Sequence, residues 1–198
     1  MSDQKASNVF KLVDVRLAFP ALFVPRAASA DKPNDLSFSC SFLMAPDHPA
    51  RKQLSDVIRK VAADKWGVKA EENVKLMAMT DKLCIHNGDT KPNLEGYPGN
   101  YFVNARNKTR PGVFDLTRAG PDGKALALGQ SDGKPYAGCY VNASVEIWAQ
   151  DNKFGKRVNA SLRGVWFLRD GDAFAGGGVA DADEFEPMTS GADSDSLV

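Results

Sequence analysis

The chain has 198 residues, 43% of them hydrophobic, which is enough for one domain with a packed core. No segment approaches the roughly 18 apolar residues that cross a bilayer, and no signal peptide is recognisable, so we expect a cytosolic protein without a membrane partner. The cysteines, Cys40, Cys84 and Cys139, are odd in number and far apart, which argues against disulfides or a thiolate metal site.

The formal net charge of zero conceals a segregation of charge along the chain. All 25 Lys and Arg residues lie at or before Arg169, together with 17 of the 25 acidic residues, so residues 1–169 carry +8 and residues 170–198 carry −8. This asymmetry predicts a polyanionic partner for the basic body and an interacting or competing role for the acidic tail. The alternative is a disordered terminus that only improves solubility.

Two strands are predicted near the N-terminus. VFKLVDVRLAF alternates with period two and is expected to end at Pro20, with one face formed by Val9, Lys11, Val13, Val15 and Leu17. A loop rich in Ala, Pro, Ser and Asp follows. LSFSCSFLM then has the alternation of a half-buried strand, with Phe38, Cys40, Phe42 and Met44 opposite serines.

A helix is predicted next, over PDHPARKQLSDVIRKVAADKWG. Asp47 is expected to cap its start, Pro49 fits the first turn, and Gly67 can end it. Apolar residues recur at three- and four-residue steps: Leu54, Val57, Ile58, Val61, Ala62 and Trp66. The opposite face is basic, and we expect it to be solvated rather than bound to phosphate. Residues 68–99 show only fragments of pattern.

Three further strands are predicted in NYFVNARNK, CYVNASVEIWAQ and KRVNASLRGVWFLRDG, and DNKFGK joins the last two as an antiparallel hairpin. The segment from Asp115 to Gly138 is interpreted as a long loop. Five or six short strands with one inserted helix predict a mainly β protein, a small closed or partly closed barrel, with a two-sheet sandwich as the alternative.

The sequence contains little that could support catalysis. His48 and His86 have no nearby acid and hydroxyl to form a triad, and the usual zinc, phosphate-loop and dinucleotide motifs are missing. The acidic runs at 170–172 and 181–186 lack the spaced ligands of a calcium loop. We therefore predict no catalytic residue, no metal and no cofactor.

Aromatic and cationic side chains share the polar faces of the predicted strands. Single-stranded nucleic acid suits such a surface, because its bases can stack on rings, at about 1–3 kcal/mol each, while cations follow the phosphates. Packing of each ring beneath the 115–138 loop is the alternative. The predicted stacking residues are Phe102, Tyr140 and Trp148. The predicted phosphate contacts are Arg106, Lys108, Arg110, Arg157 and Arg163, with Lys153 and Lys156 as a second set.

Several blocks of sequence resemble a family of phage single-stranded DNA-binding proteins first catalogued as an uncharacterised phage domain family. These blocks are GYPGNYFVNARNKTRPGVFD, YAGCYVNASVEIWAQDNKFGKRVNASLRGVWFLRDG and ADADEFEPM, with VRLAFPALFVPRA and ADKWG earlier. The resemblance implies an OB-fold-like five-stranded barrel over residues 1–178 and a disordered acidic tail over 179–198. It further implies a protein that coats single-stranded DNA during replication or recombination in the cytoplasm of the infected bacterium.

The helix departs from the simplest OB scheme, because it follows the second predicted strand rather than the third. Either a strand is hidden between Lys75 and His86, where KLCIH is a candidate, or the helix is an insertion.

The tail is predicted to compete with DNA for the basic groove, so that its absence permits weak duplex binding, and to recruit replication or recombination proteins. The residues concerned are Asp181, Asp183, Glu184, Phe185 and Glu186. Two other classes stay open: a structural β-barrel protein of the virion, and a metal-dependent nuclease, which would need a carboxylate cluster in the folded body.

Overall fold

The structure is a computed structural model that describes residues 8–27 and 32–175. The described residues form eight strands and two α-helices. The strands are β1 (Val9–Ala27), β2 (Leu36–Met44), β3 (Ile85–Asn87), β4 (Tyr101–Asn107), β5 (Gly112–Ala119), β6 (Ala125–Ala127), β7 (Tyr140–Asn152) and β8 (Gly155–Arg169). The helices are α1 (Pro49–Trp66) and α2 (Ala70–Met79), joined by a short 3-10 turn.

Five of the strands close into a barrel. β1 pairs antiparallel with β2 and β7, β2 with β4, and β7 with β8. The ring is completed by a parallel contact between β4 and β8, registered at Arg106 and Ser161. A closed five-stranded barrel in which the third and fifth strands are parallel is the OB architecture. The predicted fold class is confirmed, and the sandwich alternative is wrong because the sheet closes on itself.

The interior of the barrel is filled by apolar residues from every barrel strand, which favours β-branched and large side chains on the inner face. Fully buried examples are Leu12, Leu17, Phe42, Val103, Val141, Ile147, Leu162 and Phe167. α1 adds Ala50, Leu54, Ile58 and Val61 from its buried stripe to the same core. The helix is capped by His48, whose Nδ1 accepts a hydrogen bond from the Ala50 amide at 3.2 Å, and not by Asp47.

β1 does not keep the single alternation expected from its sequence, and it does not end at Pro20. Phe10 and Leu12 face the core first, and Val15 and Leu17 face it afterwards. The pairing with β7 shifts between Leu12 and Val15, where Asp14 has φ 54°. This β-bulge inserts one extra residue, so the core-facing side chains change from even-numbered to odd-numbered positions.

The helices are an insertion between the second and third barrel strands. The KLCIH segment does contain a strand, β3, but β3 pairs with β4 at the outer edge of the sheet and is not part of the barrel. The insertion is therefore the explanation that holds, because the strand that begins in KLCIH does not change the order of the barrel strands. The insertion also contains α2, which the sequence patterns did not predict.

The segment from Asp115 to Gly138 is not only loop, because it contains the second half of β5 and all of β6, and these two strands pair antiparallel. The Asp115 carboxylate is buried and accepts hydrogen bonds from the Thr117 amide (2.8 Å), the Thr117 hydroxyl (2.6 Å) and Arg118 Nε (2.8 Å). Burial alone would raise the pKa of Asp115, but these hydrogen bonds and the Arg118 charge hold it below its ordinary value.

The last described residues return across the surface of the barrel. The Phe174 amide donates to Ala137 O at 3.1 Å, and the Ala175 amide donates to Glu95 Oε2 at 2.7 Å. The predicted tail and its boundary at residue 179 lie outside the described residues. Within the described ranges, no helix is both long and apolar enough to span a membrane.

Candidate nucleic-acid interface

A groove of about 1000 Å³ runs over the outer face of β2 and β4 to the start of β8 and the end of β7. The segment from Asp81 to His86 forms one wall. The outward positions of β2 and β4 supply small polar side chains to its floor, Ser39, Ser41 and Asn104. The face of the second and third barrel strands, beside the hairpin of the last two, is where OB folds bind oligonucleotides.

Positive charge dominates the described lining of this groove. Five cationic side chains line it, Lys32, Lys82, Arg106, Lys108 and Arg157, against one carboxylate, that of Asp81. Asp81 Oδ1 lies 2.6 Å from His86 Nδ1. The groove is therefore suited to an anionic ligand.

Lys108 is held at the rim by neighbours from the β1–β2 side. Its ammonium donates to the Asp35 carboxylate and, at 2.7 Å, to Leu36 O. The hydrogen bond and charge of Lys108 lower the pKa of Asp35. Because Lys108 already has a carboxylate partner, Arg106 and Arg157 offer more available charge.

Trp148 is the predicted stacking residue that the structure places in the groove. Its side chain is 40% exposed, and its Nε1 donates to Ser161 Oγ at 2.9 Å. This hydrogen bond joins β7 to β8 and restricts rotation of the indole. A ring held in one orientation loses less entropy when a base stacks on it.

Phe102 does point away from the barrel interior, but its expected exposure is wrong. The side chain is 4% exposed, in a small second cluster with Ala18, Leu43 and Tyr97. The covering residues come from the segment between β3 and β4, not from the 115–138 segment. Phe102 is therefore not available to stack on a base.

Tyr140 lies outside the groove, and its stacking role stays a prediction. The Arg169 guanidinium carbon sits 3.4 Å from the centre of its ring, and that of Arg16 lies 5.8 Å away. Arg169 is itself paired with Asp14 at 2.9 Å. Arg169 thus covers one face of the Tyr140 ring.

The remaining predicted cations lie around the groove rather than in it. Arg163 is exposed on the outward face of β8, two residues beyond Ser161, while the Arg110 guanidinium lies 5.4 Å from the Phe23 ring. At the β7–β8 hairpin, Lys153 Nζ is 5.1 Å from the Phe154 ring. Lys156 Nζ donates to Asn73 Oδ1 at 3.0 Å, so it supports α2.

Among the aromatic and cationic residues that line the groove, the predictions omitted Phe19, Lys32, Lys82 and His86. Lys32 and Lys82 come from segments without periodicity, where no pattern assigns a face. Phe19 was predicted to lie near the end of a strand, before Pro20. The Phe-Pro pair within an apolar strand was a usable signal, since proline disturbs a β ladder and can reverse an alternation.

Metal and thiol chemistry have little basis in this region. Among the described residues, no group of three or more His, Cys, Asp or Glu side chains could hold a metal ion. Cys40 and Cys84 reach the groove wall but are buried. Burial raises the pKa of the Cys84 thiol to about 12, which keeps it protonated and unreactive.

An OB barrel with a cationic groove and an exposed tryptophan is typical of β-barrel proteins that bind single-stranded nucleic acid. Comparison with known proteins narrows this class. Residues 8–197 match the family model described as "Enterobacter phage Enc34, ssDNA-binding protein", and the chain belongs to that family.

Individual relatives agree with the family assignment. "Putative protein p50" of Acyrthosiphon pisum secondary endosymbiont phage 1 is 41% identical over 182 residues, which cover 90% of this chain and 93% of the relative. The single-stranded DNA-binding protein of bacteriophage Enc34, solved with ssDNA, aligns with a TM-score of 0.67 and 24% identity, over 84% of this chain and 89% of that one. The single-stranded DNA-binding protein gp2.5 of bacteriophage T7 aligns with a TM-score of 0.52 and 17% identity, over 94% and 100%. These two structures establish the shared fold.

Proposed function

We propose that this protein binds single-stranded DNA in the groove, with little sequence preference and without catalysis. The observation that carries the proposal is the position of Trp148 among cations on the ligand-binding face of an OB barrel. In this arrangement a base stacks on the indole while Arg106 and Arg157 neutralise phosphates. The family and its DNA-bound relative support the same function.

The groove favours single strands over duplex for a physical reason. Stacking needs an unpaired base with a free face, and duplex DNA keeps its base faces inside the helix. On the floor, Ser39 and the amide nitrogen of Asn104 can hydrogen-bond to many groups, which suits a site that tolerates any base. Ser41 is buried and already donates to Asn104 Oδ1 at 2.6 Å. Duplex would engage only the charges, and would therefore bind more weakly.

Cations beyond the groove extend the proposed path for longer DNA. Arg163 and Arg110 continue it past the contact between β4 and β8, and Lys153 continues it at the hairpin tip. Lys156 is a weaker candidate because Asn73 already accepts its hydrogen bond. Their contribution should appear only with oligonucleotides longer than the groove.

The proposed role is to coat single-stranded DNA during phage DNA replication or recombination, in the cytoplasm of the infected bacterium. The acidic tail competes with DNA for the cationic groove and suppresses binding to duplex. When DNA displaces the tail, Phe185 and its acidic neighbours become free to recruit replication or recombination proteins. The −8 charge of residues 170–198 against a body of +8 supports this competition.

Titration of a labelled oligo(dT) over a series of salt concentrations tests the proposal. Five groove cations, at about 0.7 per phosphate contact on single strands, predict a slope of log affinity on log salt of about −3 to −4. A slope near zero would contradict the interface. The same oligonucleotide incubated with divalent ions distinguishes the other classes, since cleavage indicates a nuclease and an absence of binding favours a virion protein.

A further inference from the structure

Phe19 presents an exposed ring at the edge of the groove, on a backbone conformation that is unusual for phenylalanine. Its side chain is 55% exposed, and its φ is 48°. Positive φ is uncommon for any residue other than glycine, and more so for a bulky one. Such strain is often found at functional sites, where the rest of the fold holds it in place.

The strain at Phe19 has a clear geometric effect. Leu17 faces the barrel core and Ala18 faces the second cluster, so strict alternation would turn Phe19 back into the core. The pairing of β1 with β2 instead shifts between Ala18 and Ala21. The bulge keeps an apolar ring out of the core and places it in the groove.

A series of aromatic rings supports Phe19 from behind. Phe19 lies 6.0 Å from Tyr97, Tyr97 lies 4.8 Å from Phe102, and Phe102 stacks on His86 at 5.0 Å, all between ring centres. The two inner rings, Tyr97 and Phe102, are buried, whereas both end rings line the groove. The buried Phe102 thus backs the groove wall instead of contacting DNA.

We infer that Phe19 is a second base-stacking residue of the groove, an assignment that rests on the proposed function. β1 pairs with β7 at Arg16 and Tyr140, and Phe19 lies beyond that pair. Trp148 is eight residues further along β7 in the opposite direction, about 26 Å along the strand at roughly 3.3 Å per residue. The two rings are too far apart to hold one base, so they stack on different nucleotides of the same strand.

Glycine at position 19 separates a functional ring from a structural one. Phe19→Gly removes the ring and adopts positive φ freely, so its melting temperature should equal or exceed that of the wild type. Its affinity for oligo(dT) should fall about 5- to 150-fold, the equivalent of one lost stacked base. Phe19→Leu, which keeps apolar bulk without the ring, should also bind more weakly. Val24→Ala is the matched control, an exposed residue of the same strand outside the groove, and should bind as the wild type does.

Photocrosslinking of the unmodified protein provides a readout that does not depend on how a variant folds. Oligo(dT) in which some thymines are replaced by 5-iodouracil should crosslink to peptides containing Phe19 and Trp148, as identified by mass spectrometry. Wild-type affinity in both Phe19 variants, or crosslinks at Trp148 without any at Phe19, would overturn the inference and leave the proposed function intact. A wild-type protein that does not bind oligo(dT) would overturn both.

Discussion

Replacement of Trp148 by alanine tests stacking in the groove without changing any charge. The indole is 40% exposed, so part of the ring is available to a base. A stacked base contributes about 1–3 kcal/mol, and the Kd for oligo(dT) should therefore rise about 5- to 150-fold. The salt slope should stay at the wild-type value, because no phosphate contact is lost.

Ser161→Ala is the control for this experiment. It removes the acceptor of the Trp148 Nε1 hydrogen bond but leaves the ring, so its effect on affinity should be smaller than that of the alanine at 148. A hydrogen bond of this kind contributes about 0.5–1.5 kcal/mol net. Fluorescence anisotropy of labelled oligo(dT) measures binding, and thermal unfolding of each variant shows whether the barrel is intact.

The result that would refute the reasoning is specific. If the Trp148 variant unfolds like the wild type and binds oligo(dT) with unchanged affinity, the indole belongs to the packing of β7 on β8 and not to the interface. If its affinity falls together with the salt slope, the loss comes from displaced cations rather than from stacking.

Three other predictions concern charge. Arg106→Gln and Arg157→Gln should each make the slope of log affinity on log salt shallower by about 0.7. Arg59→Gln, on the exposed face of α1, should leave this slope unchanged. Equal slopes in all three variants would contradict the assignment of the groove as the DNA-binding site. Asp115→Asn should destabilise the fold at pH 7 by about 1.5–3 kcal/mol, as measured by chemical denaturation, because a buried carboxylate loses charged hydrogen bonds. Since the folded pKa of Asp115 is depressed, this difference should be complete above the ordinary Asp pKa of about 4 and should shrink as the pH falls through the folded value. Truncation after Gly178 removes six acidic residues and should raise the affinity for oligo(dT), and the affinity for duplex DNA even more. A full-length protein in which those six acids are neutralised should bind like the truncated protein. Identical binding isotherms for the truncated and wild-type proteins would rule out competition.

Much of the barrel was predictable because alternation is a local property. Val103 and Ala105 face the core as their pattern indicates. The β7–β8 hairpin forms where DNKFGK predicted it, with Lys153 and Phe154 as its turn. The three register shifts of β1 were not predictable from alternation, since one added residue reverses every later side chain. β5 and β6 were missed because their short strands pair across a turn without a clear apolar face.

The site was predictable where exposure depends only on the strand that carries the residue. Arg106, Arg157 and Trp148 lie on outward positions and remain accessible. Phe102 also lies on an outward position, but Tyr97, from the irregular segment just before β4, folds over it. Burial of that kind is a tertiary contact, and no periodicity within a single strand contains it.

The contact that closes the barrel has a consequence for how binding and stability are linked. β4 and β8 register at a single residue pair, Arg106 and Ser161, and both residues line the groove. A junction this short is where local opening of the barrel should cost least free energy. A ligand that contacts both strands binds only when this junction is closed. Ligand binding therefore stabilises the closed barrel, and the two equilibria are linked.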